Sequence, residues 1–251
     1  MGERLLLLDG FELCRDERPV ALPMTAQRLL AFLALRDRPV SRSQVAGCLW
    51  VDTTDEHATA SLRSALWRLR RPGLELVEAS LTHLRLAGGV SVDYREAADW
   101  AQALLDQPEG PGSGLGEGEL GDGGLTRELL PDWQEDWVVV ERERFRQLRL
   151  HALEVRCRRL AGAGRFAQAV QAGLAAVACE PLRDSAHRLL IWVHLVEGNR
   201  AEAIRQYQLY CRLLHDELGL APSPQVQQLL HGLAPARVEP PRPMAAAAAR
   251  Q

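Results

Sequence analysis

A glycine-rich stretch in the middle of this 251-residue chain limits its possible folds more than any other feature. Residues 107–126 contain eight glycines and several acidic residues, with almost no apolar side chain to bury. Ordering such a backbone is entropically costly, so this composition favours a flexible linker. We therefore expect a first domain at residues 1–106, a linker at 107–127, a second domain at 128–233 and a disordered tail at 234–251.

Short strands are predicted at both ends of the first domain. Apolar and polar residues alternate over the first 22 residues around a turn signal at 16–19, which predicts a small antiparallel sheet with a third strand at 20–22. Two apolar runs at 74–77 and 84–86 predict a hairpin.

Helices are predicted between these strands. Leucines at helical spacing predict a first helix at residues 26–35. Capping boxes that begin at Ser41 and Thr53 predict two further helices, which end at Trp50 and Arg71, and another helix follows at 94–105. The order of sheet, three helices and hairpin predicts an α+β winged helix-turn-helix domain.

Arginines cluster on the third predicted helix. The chain has a net charge of −3, but the stretch from Thr59 to Arg71 contains four arginines and no acidic residue. A helical wheel places an apolar stripe inward, made of Ala58, Leu62, Ala65, Leu66 and Leu69. The residues opposite or flanking that stripe are Arg63, Ser64, Trp67, Arg68, Arg70 and Arg71.

This pattern predicts a helix that enters the major groove of DNA. The planar guanidinium of arginine can pair with guanine or grip phosphate with two hydrogen bonds. We assign base reading to Arg63, near the centre of the exposed face, and backbone contact to Arg68 on its flank. Arginines on an exposed helix can also be only a solvated surface, and we favour packing of Trp67 over the hairpin instead of contact with DNA.

The composition argues against several classes of function. All 30 basic residues other than histidine are arginine, which excludes a phosphate-loop lysine and a Schiff-base lysine. The five cysteines lie far apart, and we interpret His187 and His194 as packing residues, so we expect no metal, no cofactor and no enzymatic activity. The apolar run Leu5–Leu8 is too short for a signal peptide or membrane span, so we expect a cytoplasmic protein that does not bind membranes.

The second domain contains an internal repeat. Gly164-Arg165-Phe166-Ala167-Gln168-Ala169 recurs 34 residues later as Gly198-Asn199-Arg200-Ala201-Glu202-Ala203. That period is typical of tetratricopeptide repeats, which stack pairs of helices and leave surfaces free for protein partners. Residues 128–233 hold thirteen arginines and thirteen acidic residues, so we expect this all-α domain to bind proteins instead of phosphates.

The chain also resembles the SARP-like regulators of actinobacteria, which join an OmpR-type winged helix to a bacterial transcriptional activator domain. The resemblance is carried by the following segments: 39–45, 49–50, 60–62, 67–71, 92–93, 130–133, 136–139, 180–188, 197–203 and 216–220. It implies that Arg63, Ser64, Trp67 and Arg68 face promoter DNA. It also implies repeated binding sites, where two copies can sit side by side, and contact with RNA polymerase.

One departure from the family pattern concerns the hairpin. Many relatives carry an arginine before a Gly-Tyr pair, whereas the tip here reads Ala79-Ser80-Leu81-Thr82-His83 and leaves Arg85 as the nearby candidate for the minor groove. We expect a sequence-specific transcriptional activator whose first domain, cut near Gln107, still binds DNA but no longer activates. The alternative is a tetratricopeptide-type scaffold or repressor that binds DNA and a protein without activating.

Overall fold

The computed structural model of the chain describes residues 2–70, 74–106 and 123–231. The chain forms two compact units, residues 1–181 and residues 182–251. In the first unit, a four-stranded sheet has the order β3-β2-β1-β7, in which β1 is antiparallel to β2 and parallel to β7. The strands of this sheet are β1 (Glu3–Leu6), β2 (Glu12–Arg15), β3 (Arg18–Pro19) and β7 (Val90–Val92).

The turn between β2 and β3 explains why the third strand begins earlier than residues 20–22. Asp16 and Glu17 have φ values of 48° and 63°. Two successive residues with positive φ are typical of a tight type I′ hairpin turn, whose twist matches that of the flanking strands. Pairing therefore resumes at Arg18, directly after the turn.

A helical layer and a second sheet complete the winged helix-turn-helix fold, as predicted. The three-stranded sheet has the order β4-β6-β5, so the hairpin formed by β5 and β6 pairs with the short β4. Its strands are β4 (Val40–Ser41), β5 (Val77–Ala79) and β6 (His83–Leu86). The helices are α1 (Met24–Ala34), α2 (Arg42–Leu49), α3 (Asp55–Leu69) and α4 (Asp93–Asp106).

The N-terminal caps agree with the sequence at α2 and differ by one residue at α3. The Ser41 hydroxyl accepts a hydrogen bond from the Gln44 amide at 3.2 Å, as the capping box predicts. At α3, Thr54 instead of Thr53 is the capping residue, and its hydroxyl accepts from the His57 amide. The Thr53 hydroxyl instead donates to the Trp50 carbonyl at 3.0 Å, within the turn that precedes α3, so it does not cap the helix.

The remaining helices form two pairs and a short terminal helix. They are α5 (Asp136–Gly162) and α6 (Phe166–Cys179) in the first unit, and α7 (Asp184–Glu197), α8 (Arg200–Leu218) and α9 (Pro224–Leu230) in the second. Gly164, with a φ of 73°, lies in the turn between α5 and α6, and Gly198, with a φ of 90°, lies in the turn between α7 and α8. Glycine adopts this left-handed conformation without steric cost, so the 34-residue repeat marks two equivalent turns.

The core of the first unit extends across the expected linker. The second half of α1, from Leu29 to Ala34, is apolar on all sides and buried, so it needs cover on more than one face. That cover includes residues that follow the glycine-rich stretch. Five residues from beyond that stretch are buried in the same core as α1, namely Leu129, Leu130, Trp133, Val138 and Phe145.

Specific contacts join these two parts of the first unit. The Leu130 amide donates to the Leu7 carbonyl at 2.9 Å, and the Trp133 ring stacks on Phe11 with centroids 6.0 Å apart. The Trp137 ring lies edge-on to Phe32 at 5.3 Å. Packing and main-chain pairing thus make residues 129–145 part of the winged-helix core.

The compact units therefore do not follow the expected boundaries at residues 106 and 128. Residues 123–127, which we assigned to the linker, form an ordered turn in which Leu125 is fully buried. The rest of the expected linker, residues 107–122, lies outside the described residues, as does the expected disordered tail at 234–251. The first unit continues through α6 because α5 packs against both α4 and α6.

Asp93 fastens the end of β1 to the start of α4. Its carboxylate accepts hydrogen bonds from the amides of Leu7 at 2.8 Å, Leu8 at 3.1 Å and Tyr94 at 2.7 Å. Burial raises the pKa of Asp93, although these three amides favour the charged form. Asp93 therefore fixes the main chain at Leu7 and Leu8, which is the segment that pairs with residues 128–130.

The five cysteines differ in burial. Cys157 is buried, and burial raises the pKa of its thiol to about 12, whereas the other four cysteines are half-buried. Of the helices in the described residues, none is both long and apolar enough to cross a membrane.

Candidate nucleic-acid interface

Helix α3 has the two faces that the helical wheel predicts. Four residues of the predicted inner stripe are buried, and Leu66 is half-buried against the same core. The buried four are Ala58, Leu62, Ala65 and Leu69. This stripe holds α3 against α1 and α2, so the opposite side faces solvent.

The exposed face of α3 presents cations and one hydroxyl. Arg63, Ser64, Arg68 and Arg70 are all exposed. Within the described part of the chain, none of the three arginines makes a hydrogen bond through its side chain or an ion pair. Their guanidinium groups therefore remain able to bind an anionic ligand without first breaking a contact to those residues. Arg71, the remaining candidate on this helix, lies outside the described residues.

Trp67 does not pack over the hairpin, contrary to our expectation. Its side chain is 73% exposed. The neighbouring Leu66 and Leu69 line the groove between α3 and the hairpin, and Trp67 lies about 100° around the helix from Leu66. The ring is thus on the same open face as the arginines.

The hairpin contributes less positive charge than Arg85 alone would indicate. The Arg85 guanidinium pairs with the Glu78 carboxylate, with 2.5 Å between Nη2 and Oε2. The Gly88 amide also donates to Glu78 at 3.2 Å. Hydrogen bonding from Arg85 is the main cause that lowers the pKa of Glu78, so this carboxylate stays ionised and neutralises its partner.

Arg42 is a supporting residue that the sequence did not reveal. Its main-chain amide donates to the Thr82 carbonyl at 2.9 Å, and its Nε donates to the Ser80 carbonyl at 3.0 Å. These bonds fasten the hairpin tip to the start of α2. Its place directly after the Ser41 cap predicts that Arg42 begins a helix. No sequence pattern indicates its contacts to Ser80 and Thr82, which lie 38 and 40 residues further along the chain.

The groove between α3 and the hairpin carries both signs of charge. This cavity of about 670 Å³ is lined by Arg42 and Arg70 but also by Glu75 and Glu78. Mixed charge weakens the attraction for a phosphate backbone. The open face of α3 is therefore the better surface for an anionic polymer.

His187, one of the two histidines that we interpreted as packing residues, packs within the second unit. The His187 ring stacks on Tyr210 with centroids 4.1 Å apart, and the Gln206 amide lies 2.9 Å from its Nδ1. In residues 2–70, 74–106 and 123–231, no group of three or more His, Cys, Asp or Glu side chains could hold a metal ion.

Comparison with known proteins gives a consistent result. Residues 123–233 match the family described as the bacterial transcriptional activator domain. The chain is 30% identical to the regulatory protein AfsR of Streptomyces coelicolor over 86% of its length, and 27% identical to AfsR of Streptomyces griseus over 88%. It spans only 22% and 23% of the length of those two proteins.

A solved structure with the same fold is that of Mycobacterium tuberculosis EmbR in complex with a low-affinity phosphopeptide. The TM-score is 0.66 at 20% sequence identity, and the match covers 90% of this chain and 63% of the EmbR chain. At this identity the likeness concerns the fold. It confirms the predicted class, an α+β winged helix-turn-helix region followed by a helical domain.

Proposed function

We propose that this chain, a SARP-like regulator in its sequence and fold, is a sequence-specific DNA-binding transcriptional activator that acts in the cytoplasm. Helix α3 would enter the major groove of promoter DNA, where Arg63 reads bases and Arg68 grips phosphate. The helical region would contact RNA polymerase or a second copy of the chain. The proposal includes no catalytic step and no cofactor.

The observation that carries this proposal is the open face of α3. Arg63 and Arg68 project from a helix whose other side is buried, and neither is paired within the described residues. Keeping such guanidinium groups free favours a ligand with acceptor atoms, and base edges and phosphates both supply them. The similarity to AfsR regulators supports the same assignment.

The test of DNA binding uses the full chain and sites obtained by in vitro selection. Arg63→Ala should cost about 1–3 kcal/mol on the preferred site and little on random DNA, because base contacts carry specificity. Arg68→Ala should weaken binding to both and lower the salt slope by about one, because a phosphate contact releases counterions. Fluorescence anisotropy at several salt concentrations measures both effects.

The control for these variants is Arg18→Ala, which removes an exposed arginine from the edge of the other sheet. It should leave affinity and salt slope unchanged apart from a small long-range effect. Wild-type affinity in both folded α3 variants would refute α3 as the recognition helix.

Activation is tested separately, because a scaffold or repressor could bind the same DNA. Single-round transcription with purified RNA polymerase is measured on a template that carries the selected site, at known promoter occupancy. An activator raises transcript yield as occupancy rises. Unchanged or reduced yield at full occupancy would favour the scaffold or repressor alternative.

A further inference from the structure

A cavity of about 700 Å³ opens between α5, α6 and the segment at residues 126–128. It lies within the first unit, apart from the face of α3. Its volume falls in the range of roughly 300–1,000 Å³ that is usual for small-molecule sites. Residues of its wall include Arg149, Arg156, Gln168, Gln171, Ala175 and Cys179.

Two cations in this wall are buried. Arg149 and Arg156 are 6% and 8% exposed. Burying a guanidinium removes its hydration, and this is costly unless a partner of opposite charge replaces the lost water. Charged side chains so deep in a wall therefore indicate a site, provided that their charge is not already balanced.

The charge of Arg149 is not balanced within the described residues. Its Nη1 donates to the Arg127 carbonyl, and its guanidinium lies over the Phe145 ring, 5.3 Å from the centroid. Both partners are neutral. Its Nε is buried without a hydrogen-bond partner, and no carboxylate of the described residues lies within ion-pair distance.

The other polar residues of the wall are compatible with an anion. Gln168 and Gln171 can donate from their amides, and burial raises the pKa of Cys179, so the thiol remains neutral. Glu128 also reaches the wall, but its carboxylate lies 3.7 Å from the Arg142 Nε, which offsets its charge. Alanines of α6 complete the wall with an apolar patch.

We propose that this cavity binds a small organic anion, with its carboxylate or phosphate at Arg149 and its apolar part against the alanines of α6. A planar guanidinium pairs well with either anionic group, and the apolar wall supplies the rest of the contact area. The site does not depend on DNA binding. Its ligand would contact the segment at 126–128, which continues into residues that pair with positions 7–9, directly after β1.

The first experiment titrates three probes into the full chain by calorimetry and follows protein NMR signals. The probes are 4-phenylbutyrate, phenyl phosphate and the neutral 4-phenylbutanamide. One or both anions should bind at a single site and at least about tenfold more tightly than the amide, because only the anions pair with the guanidinium. The preferred anion identifies the carboxylate or phosphate class of ligand.

The second experiment tests the position of the site with two variants and a control. Gln171→Glu adds a negative charge to an exposed wall position that should not disturb folding, and Arg149→Gln removes the proposed cation. Both should weaken anion binding at least about tenfold. Gln208→Glu makes the same charge change on the exposed surface of α8 and should have no effect.

Three results would overturn the proposal. They are no binding of either anion, equal binding of the neutral amide, or wild-type anion affinity in Gln171→Glu. If Arg149→Gln does not fold, Gln171→Glu alone decides the outcome.

Discussion

In the unit of residues 1–181, a segment from beyond the glycine-rich stretch covers α1, whereas the unit of residues 182–251 is held together by neighbouring helices. The second unit has a small core formed by Ile191, Ala203, Tyr210, Leu214 and Val226. Next to it, the Asp184 carboxylate accepts hydrogen bonds from the Tyr210 hydroxyl at 3.1 Å and the Ser223 hydroxyl at 3.0 Å.

The difference shows that the two units depend on the chain in different ways. The first unit buries large side chains from positions more than a hundred residues apart, so its stability depends on keeping these distant segments together. The second unit uses contacts along one short stretch, where chain closure costs little entropy. Three predictions test this contrast and a fourth tests the pair of Arg85 and Glu78, in order from the largest expected effect on stability to the smallest.

Truncation after residue 106 should unfold the winged helix. The shortened chain loses Trp133, Phe145 and three other core residues, each of which contributes on the order of 2–5 kcal/mol against a typical total of about 5–15 kcal/mol. This differs from the sequence-based expectation that a fragment ending near Gln107 binds DNA. Near-ultraviolet circular dichroism and amide NMR dispersion measure the loss of packing.

The matched control for this truncation is a chain of residues 1–181, which keeps the whole shared core and should retain a cooperative thermal transition. A cooperative transition of equal midpoint in the 1–106 chain would show that the winged helix is an independent domain to whose stability residues 129–145 do not contribute.

Trp133→Ala should destabilise the first unit by about 3–5 kcal/mol, because it leaves a cavity where the ring stacks on Phe11. Trp67→Ala is the control, since that ring is exposed and its loss should change stability by less than about 0.5 kcal/mol. Urea unfolding measures both. Equal effects of the two variants would contradict the shared core.

In the second unit, Tyr210→Phe removes the hydroxyl that donates to Asp184 while keeping the ring in place. The expected loss is about 0.5–1.5 kcal/mol, since one hydrogen bond disappears and packing remains. Ser223→Ala should cost more than Tyr210→Phe, because the Ser223 hydroxyl also caps α9 by accepting from the Val226 amide. The double variant should not be additive because both donors share one carboxylate. Strict additivity in chemical unfolding would show that the Asp184 network does not act as a unit.

Glu78→Gln should change thermal stability least, because the pair with Arg85 is exposed to solvent. It should instead raise the affinity for DNA and increase the salt slope by up to about one, since Arg85 becomes free to bind phosphate. Glu75→Gln removes the same charge from the segment just before β5, where the described residues include no ion-pair partner for Glu75. Equal gains in both variants would mean that only net charge matters and that Glu78 does not restrain Arg85.

Local patterns in the sequence determined the elements and the faces of α3. The inner stripe from Ala58 to Leu69 follows from helical periodicity, the Ser41 cap from its hydroxyl three residues before Gln44, and the two equivalent glycine turns from the 34-residue repeat. Each depends on residues close in the chain, so spacing alone is sufficient to predict it.

Tertiary structure decided what these elements pack against. Several features depend on relative positions in space: the parallel pairing of β1 with β7, the contact of Trp137 with Phe32 of α1, the pairing of Arg85 with Glu78 and the exposure of Trp67. A glycine-rich composition predicts that ordering the intervening chain is costly, but it does not report how much apolar surface the flanking segments bury together. That shared burial carries the first unit past the glycine-rich stretch, and the packing of α5 against α6 extends it to Pro181.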